Sequence, residues 1–123
     1  CAAALATLDV FERERTLEAL QPKIALLGDL LAEFVAPLPA VAEIRRRGFM
    51  VGIELGGFPA HARMGHEVTL AARRRGAVIR PLGDVIVLMP PLAMSEEELR
   101  HLVAVTAASV AEATARPVLV AAA

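Results

Sequence analysis

The chain has 123 residues, 56% of them hydrophobic and 22% charged, with a formal net charge of −1. A balance this close to neutral leaves no electrostatic footprint for nucleic acid, and the length suits one domain with a real core. The mean hydropathy of +0.54 is high. Even so, Ile24 to Ala42 is broken by Asp29, Glu33, Pro37 and Pro39, and Val85 to Met94 is short and holds two prolines, so no membrane span is expected. The apolar excess is read instead as surface meant for burial against another part or subunit. The single cysteine, Cys1, cannot form an internal disulfide, and no signal-peptide pattern opens the chain; both fit a cytoplasmic protein.

Ala2 to about Glu14 reads as an alanine-rich helix with Leu5, Leu8 and Phe11 on one side, starting without a cap. A second helix, Thr16 to Phe34, carries the stripe Leu17, Leu20, Ile24, Leu27, Leu31 and Phe34; Pro22 either kinks it or marks the start of its regular part. After Pro37 and Pro39, Val41 to Arg46 and Phe49 to Leu55 read as strands around Arg47 and Gly48, closed by Gly56-Gly57 and Pro59. A helix from about Ala60 to Arg75 has Met64, Val68 and Ala71 on one face and Gly76 as a left-handed terminator. Gly65 inside it costs roughly 1 kcal/mol against alanine and so hints at close packing.

Ala77 to Ile79 and Val85 to Met89 read as the two strands of a hairpin, with Pro81 to Asp84 as turn. Arg80 then stands at its lip, where a guanidinium can hold a carboxylate through two parallel hydrogen bonds. Ser95 caps the last helix, with Glu98 reaching back to it, and Leu99, Leu102, Val103, Thr106 and Val110 form that helix's buried face. Arg116 to Ala123 has no pattern and is read as a tail, disordered or packed on a partner. Mixed strands and helices with short connections give an α+β domain, a small antiparallel sheet packed against helices and preceded by a long helical N-terminal segment.

Three stretches carry a resemblance. GHEVTLAARRRGAVIRPLGDVIVLMPPLAMSEEEL, Gly65 to Leu99, is similar to the C-terminal part of class III pyridoxal-phosphate aminotransferases, above all the adenosylmethionine-8-amino-7-oxononanoate aminotransferases of biotin synthesis. Gly48 to Leu55 resembles the family's strand entering the small domain, and Cys1 to Ala6 the helix leaving the large one. The resemblance reaches to about Ala115 and implies the C-terminal domain of a fold-type I aminotransferase: residues 1–15 ending a large-domain helix, 16–115 the small domain, 116–123 the tail. It implies a homodimer, an N-terminal large domain, and a transfer of an amino group from S-adenosylmethionine to 8-amino-7-oxononanoate through pyridoxal phosphate.

By the same resemblance Arg80 corresponds to the arginine that binds the keto-acid carboxylate, with Pro81, Leu82 and Gly83 shaping the turn behind it. Leu92 stands where some members carry an aromatic residue and is read as pocket lining. The chemistry needs a Schiff-base lysine, an acidic partner for the pyridinium nitrogen and donors for the phosphate. Lys23 is the sole lysine; it follows Pro22 on the flank of the helix stripe, with no glycine-rich loop nearby, and is read as a solvated charge. No catalytic, cofactor-binding or metal-binding residue is therefore expected in this segment, which alone should be inactive.

Other polar residues take structural readings. His61 and His66 would lie about 140° apart on one helix and make poor joint metal ligands. His101 reads as surface, and Glu96, Glu97 and Glu98 as first-turn acids favoured by the helix dipole. The alternatives to the biotin-pathway reading are another class III ω-aminotransferase and a stand-alone, non-catalytic oligomerisation or binding module.

Overall fold

The computed structural model describes residues 1–115; the tail reading for 116–123 lies outside the described residues. Helix α1 spans Ala2–Arg13, and none of its residues is buried. Arg15, in the left-handed region at φ 48°, turns the chain into α2, Thr16–Leu30. Pro22 sits inside α2 without ending it, so the regular helix begins at Thr16 rather than at the proline.

A π-helical turn, Leu31–Val35, continues α2. Its wider turn, closed by i→i+5 bonds such as Ala36 N–H to Leu31 O, shifts the side chains relative to an α-helical wheel. Val35 is therefore fully buried while Phe34, expected on the stripe, is 47% exposed. Leu17 is exposed as well, and Leu30 joins Leu20, Leu27 and Leu31 in the core.

Four strands follow: β1 (Val41–Arg47), β2 (Met50–Leu55), β3 (Arg80–Leu82) and β4 (Val85–Leu88). They form one antiparallel sheet in the order β1-β2-β4-β3. Both hairpins turn through two residues, Gly48-Phe49 and Gly83-Asp84, and the first of each pair has positive φ, 58° and 60°. A glycine at the first central position suits the twist of the flanking strands.

The second hairpin differs from expectation. Ala77 to Ile79 is an unpaired lead-in, and the strand starts at Arg80, opposite Val87; Pro81 and Leu82 belong to that strand, so the turn is Gly83-Asp84 alone. A proline reads as turn material, yet an edge strand tolerates it because one side of that strand needs no N–H donor.

The helix expected from Ala60 is also split. A 3₁₀ turn, Ala60–Ala62, ends at Arg63 with φ 47°, and α3 runs Met64–Arg74. His61 and His66 thus belong to different elements, and no cluster of potential metal ligands forms among the described residues. Gly76, at φ 85°, ends α3 as expected, with Ala77 N–H donating to Ala72 O and Gly76 N–H to Arg73 O. These two bonds are the Schellman pattern.

Helix α4, Glu96–Thr114, opens on Ser95, whose hydroxyl accepts from Glu98 N–H while Ser95 N–H donates to the Glu98 carboxylate, 3.2 and 2.7 Å. Helices α2, α3 and α4 cover one face of the sheet. Ile53, Ile86 and Leu88 from the strands meet Leu27, Val68, Leu99, Val103 and Val110 there, all at most 1% exposed. Thr106 and Ser109, buried in the same layer, donate to the carbonyls of Leu102 and Val105, so neither hydroxyl is stranded.

Candidate carboxylate-binding cleft

A cleft of about 740 Å³ opens between three segments: the lead-in Gly76 to Arg80, the end of β4 with Pro90 and Pro91, and the first turns of α4. Its lining is mostly apolar, with Arg80, Glu97, Glu98 and His101 as the charged or titratable groups. Burial alternates through the lead-in: Ala77 and Ile79 are buried, whereas Val78 is 82% exposed. That alternation puts Arg80 on the sheet face that the helices leave bare.

The Arg80 side chain is exposed and makes no hydrogen bond or ion pair among the described residues. Several other arginines are committed. Arg45 pairs with Glu43 and Glu54, which raises its pKa chiefly through the Glu54 hydrogen bond. Arg46 donates to Ile24 O, and Arg74 and Arg75 both meet Glu112. Arg80 is the arginine that lines the cleft, and its guanidinium remains available.

Each wall of the cleft is pinned. Lys23 Nζ donates to Met94 O at 2.8 Å and to Leu92 O at 3.4 Å, holding the loop after the two prolines onto α2. The expectation of a solvated flanking charge for Lys23 is thereby corrected. Its carbonyl partners are 71 and 69 residues away, so nothing local could have announced them. The capping box fixes the start of α4 and holds the Glu98 carboxyl below its usual range, first through the Ser95 backbone N–H. The hairpin turn is held by Gly65, whose N–H donates to Asp84 Oδ1 at 3.0 Å. Close packing was legible at Gly65; its partner was not. Leu92 is 37% exposed and does not line the cleft, and His101 is exposed at its rim.

The sequence model of the class-III aminotransferases matches residues 1–109. The chain belongs to that family. It is 57% identical, over 84% of its length, to the adenosylmethionine-8-amino-7-oxononanoate aminotransferase of Nitratidesulfovibrio vulgaris, and 48% identical over the same share to that of Aquifex aeolicus. It spans only 20% and 24% of those two proteins. The crystal structure of the enzyme of that name from Methanocaldococcus jannaschii superposes over 91% of this chain and 27% of its own, with a TM-score of 0.86 at 39% identity. The α+β architecture is thus the one that family uses.

Class III aminotransferases depend on pyridoxal phosphate. The described residues do not fit that group. Lys23, the sole lysine of the chain, spends its ammonium on two backbone carbonyls at the loop behind the cleft. A Schiff-base lysine must present a free amine to the cofactor, and this nitrogen is engaged as a hydrogen-bond donor instead.

Proposed function

We propose that this chain is the substrate-recognition part of an adenosylmethionine-8-amino-7-oxononanoate aminotransferase, acting in biotin synthesis to make 7,8-diaminononanoate. Residues 1–15 would end a helix of the large domain, residues 16–115 form the small domain, and the large domain would hold pyridoxal phosphate and supply the reacting groups. The enzyme would work as a homodimer, and the chain alone would be inactive. The observation that carries this reading is Arg80, an uncommitted guanidinium at the rim of an apolar cleft. Identity of 57% and 48% to proteins of that name supports it.

A keto acid with a carboxylate at the far end of an aliphatic chain matches such a cleft. Apolar walls take the methylenes, and a planar cation takes the carboxylate in bidentate fashion. The contact lies far from the reacting ketone. Its contribution is orientation, binding energy from the remote end being used to fix the reacting carbon.

The test is Arg80→Ala in the full-length enzyme. A charge-assisted hydrogen bond contributes about 1.5–3 kcal/mol, so KM for 8-amino-7-oxononanoate should rise about 10- to 150-fold. The half-reaction with the amino donor should be unaffected. An unchanged KM for the keto acid would remove Arg80 from substrate recognition.

A further inference from the structure

We propose that Asp84 is a positioning residue that sets Arg80, through a latch in which the hairpin turn caps helix α3 in place of a local residue. The inference rests on the reading of Arg80 given above. Helix α3 starts without a side-chain cap: its N-cap is Arg63, at φ 47°, which makes no cap hydrogen bond. The N–H of Gly65, second residue of α3, is satisfied instead by Asp84 Oδ1 across 19 residues of sequence. A carboxylate at a helix N-terminus is also favoured by the helix dipole.

Asp84 is held from a second direction, since its carbonyl accepts from Leu55 N–H of β2 at 3.0 Å. One residue therefore joins the turn, the neighbouring strand and the start of α3. The fit leaves no slack. A Cβ on Gly65 would collide with the Gly83 carbonyl oxygen and come within 3.3 Å of Asp84 Cα. Gly65 O in turn accepts from the buried Thr69 hydroxyl at 2.9 Å.

Strand β3 needs such an anchor. It has three residues, lies at the sheet edge, pairs only with β4, and carries a proline at its centre. Its own ladder is too short to hold a side chain to the few tenths of an ångström that a bidentate contact requires. The seat of the turn on α3 decides where Arg80, three residues before Gly83, stands relative to the cleft.

The experiment uses the full-length enzyme with 8-amino-7-oxononanoate as the probe. Asp84→Ala should raise KM for the keto acid about fivefold while the half-reaction with the amino donor keeps its rate. Asp84→Asn retains the Oδ1 acceptor and should stay within about twofold of the parent KM. Because Asp84 acts through Arg80, adding Asp84→Ala to Arg80→Ala should raise KM no further. An unchanged KM in Asp84→Ala, or multiplicative effects in the double variant, overturns the latch while Arg80 keeps its role. If Arg80→Ala itself leaves KM unchanged, the reading of Arg80 fails first. Where Asp84→Ala does not fold, Asp84→Glu displaces the carboxylate by one methylene; a raised KM supports the latch and a parental KM overturns it.

Discussion

Gly65→Ala separates tertiary packing from helix propensity by the sign of its effect. Gly65 is the second residue of α3, and alanine in place of glycine in a helix is favourable by roughly 1 kcal/mol in the absence of other contacts. The new Cβ would strike the Gly83 carbonyl oxygen and crowd Asp84 Cα at 3.3 Å, both backbone atoms of a tight turn. Relief requires the hairpin to move away from α3. Overpacking of this kind costs about 1–3 kcal/mol, and retreat of the turn also weakens the Gly65 N–H to Asp84 bond, a charge-assisted contact of about 1.5–3 kcal/mol. The net expectation is destabilisation by about 1–3 kcal/mol.

Gly28→Ala in α2 is the matched control. There a Cβ would meet Arg46 Nη2 at 2.7 Å, the far end of a flexible side chain that can swing aside. The propensity gain should then survive, less the bond from Arg46 to Ile24 O, leaving a change within about 0.5 kcal/mol of zero. With neither tryptophan nor tyrosine in the chain, unfolding in urea is best followed by far-ultraviolet circular dichroism, at two protein concentrations to remove any contribution from self-association. If both alanines shift the midpoint equally, α3 and the hairpin turn are not in contact as described.

Ser95→Ala removes the capping box and should lower stability by about 1 kcal/mol in the same denaturation assay, with Ser95→Asp close to parental. The Glu98 and Glu112 carboxyls titrate below their usual value of 4.5, Glu98 through Ser95 and Glu112 first through Arg74 and then Arg75. A carboxyl whose folded pKa is lowered stabilises fully above its unfolded pKa and loses that contribution as pH falls through the folded one. The unfolding midpoint should thus drop on acidification from 4.5 downward, and Glu98→Gln with Glu112→Gln should flatten the drop; parallel curves would refute the assignment. Lys23→Met should loosen the loop at Leu92 to Met94, read as faster amide exchange there and unchanged exchange in α3.

What the sequence revealed was local. The capping box, the Gly76 terminator and the strand expected over Phe49 to Leu55 are written in neighbouring residues, and the structure bears them out. The first strand of the second hairpin reads three residues early because Ala77-Val78-Ile79 has a strand's composition and Pro81 to Asp84 a turn's. The burial of Ala77 and Ile79 beneath the helices, together with an edge position that admits Pro81, reverses that choice. Arg63 in the left-handed region carries no signal of its own, so the sequence pattern starts the helix four residues before α3 does. At the candidate site, Arg80 and the helix cap were legible, whereas the anchors of Lys23 and Asp84 join distant parts of the chain and exist only after folding.

Part of the apolar excess of the composition lies on one half of the bare sheet face. On the sheet face that the helices leave bare, the β1–β2 half carries the ion network of Arg45, Glu43 and Glu54, with the exposed Met50 at its end. The β4–β3 half, with Leu82 at 67% and Met89 at 66% exposure, is apolar except for Arg80. A face divided this way marks the half beside the cleft as the one meant to be covered, the large domain being the occupant our reading supplies. Replacing Leu82 and Met89 together by lysine should therefore lower the binding of a hydrophobic dye to this chain while changing its stability by no more than about 0.5 kcal/mol per site. In the full-length enzyme the same pair should weaken packing of the small domain and lower its thermal midpoint. If the dye still binds the doubly substituted chain as before, its apolar surface lies elsewhere, with the exposed Leu5 and Leu8 of α1 next to be replaced.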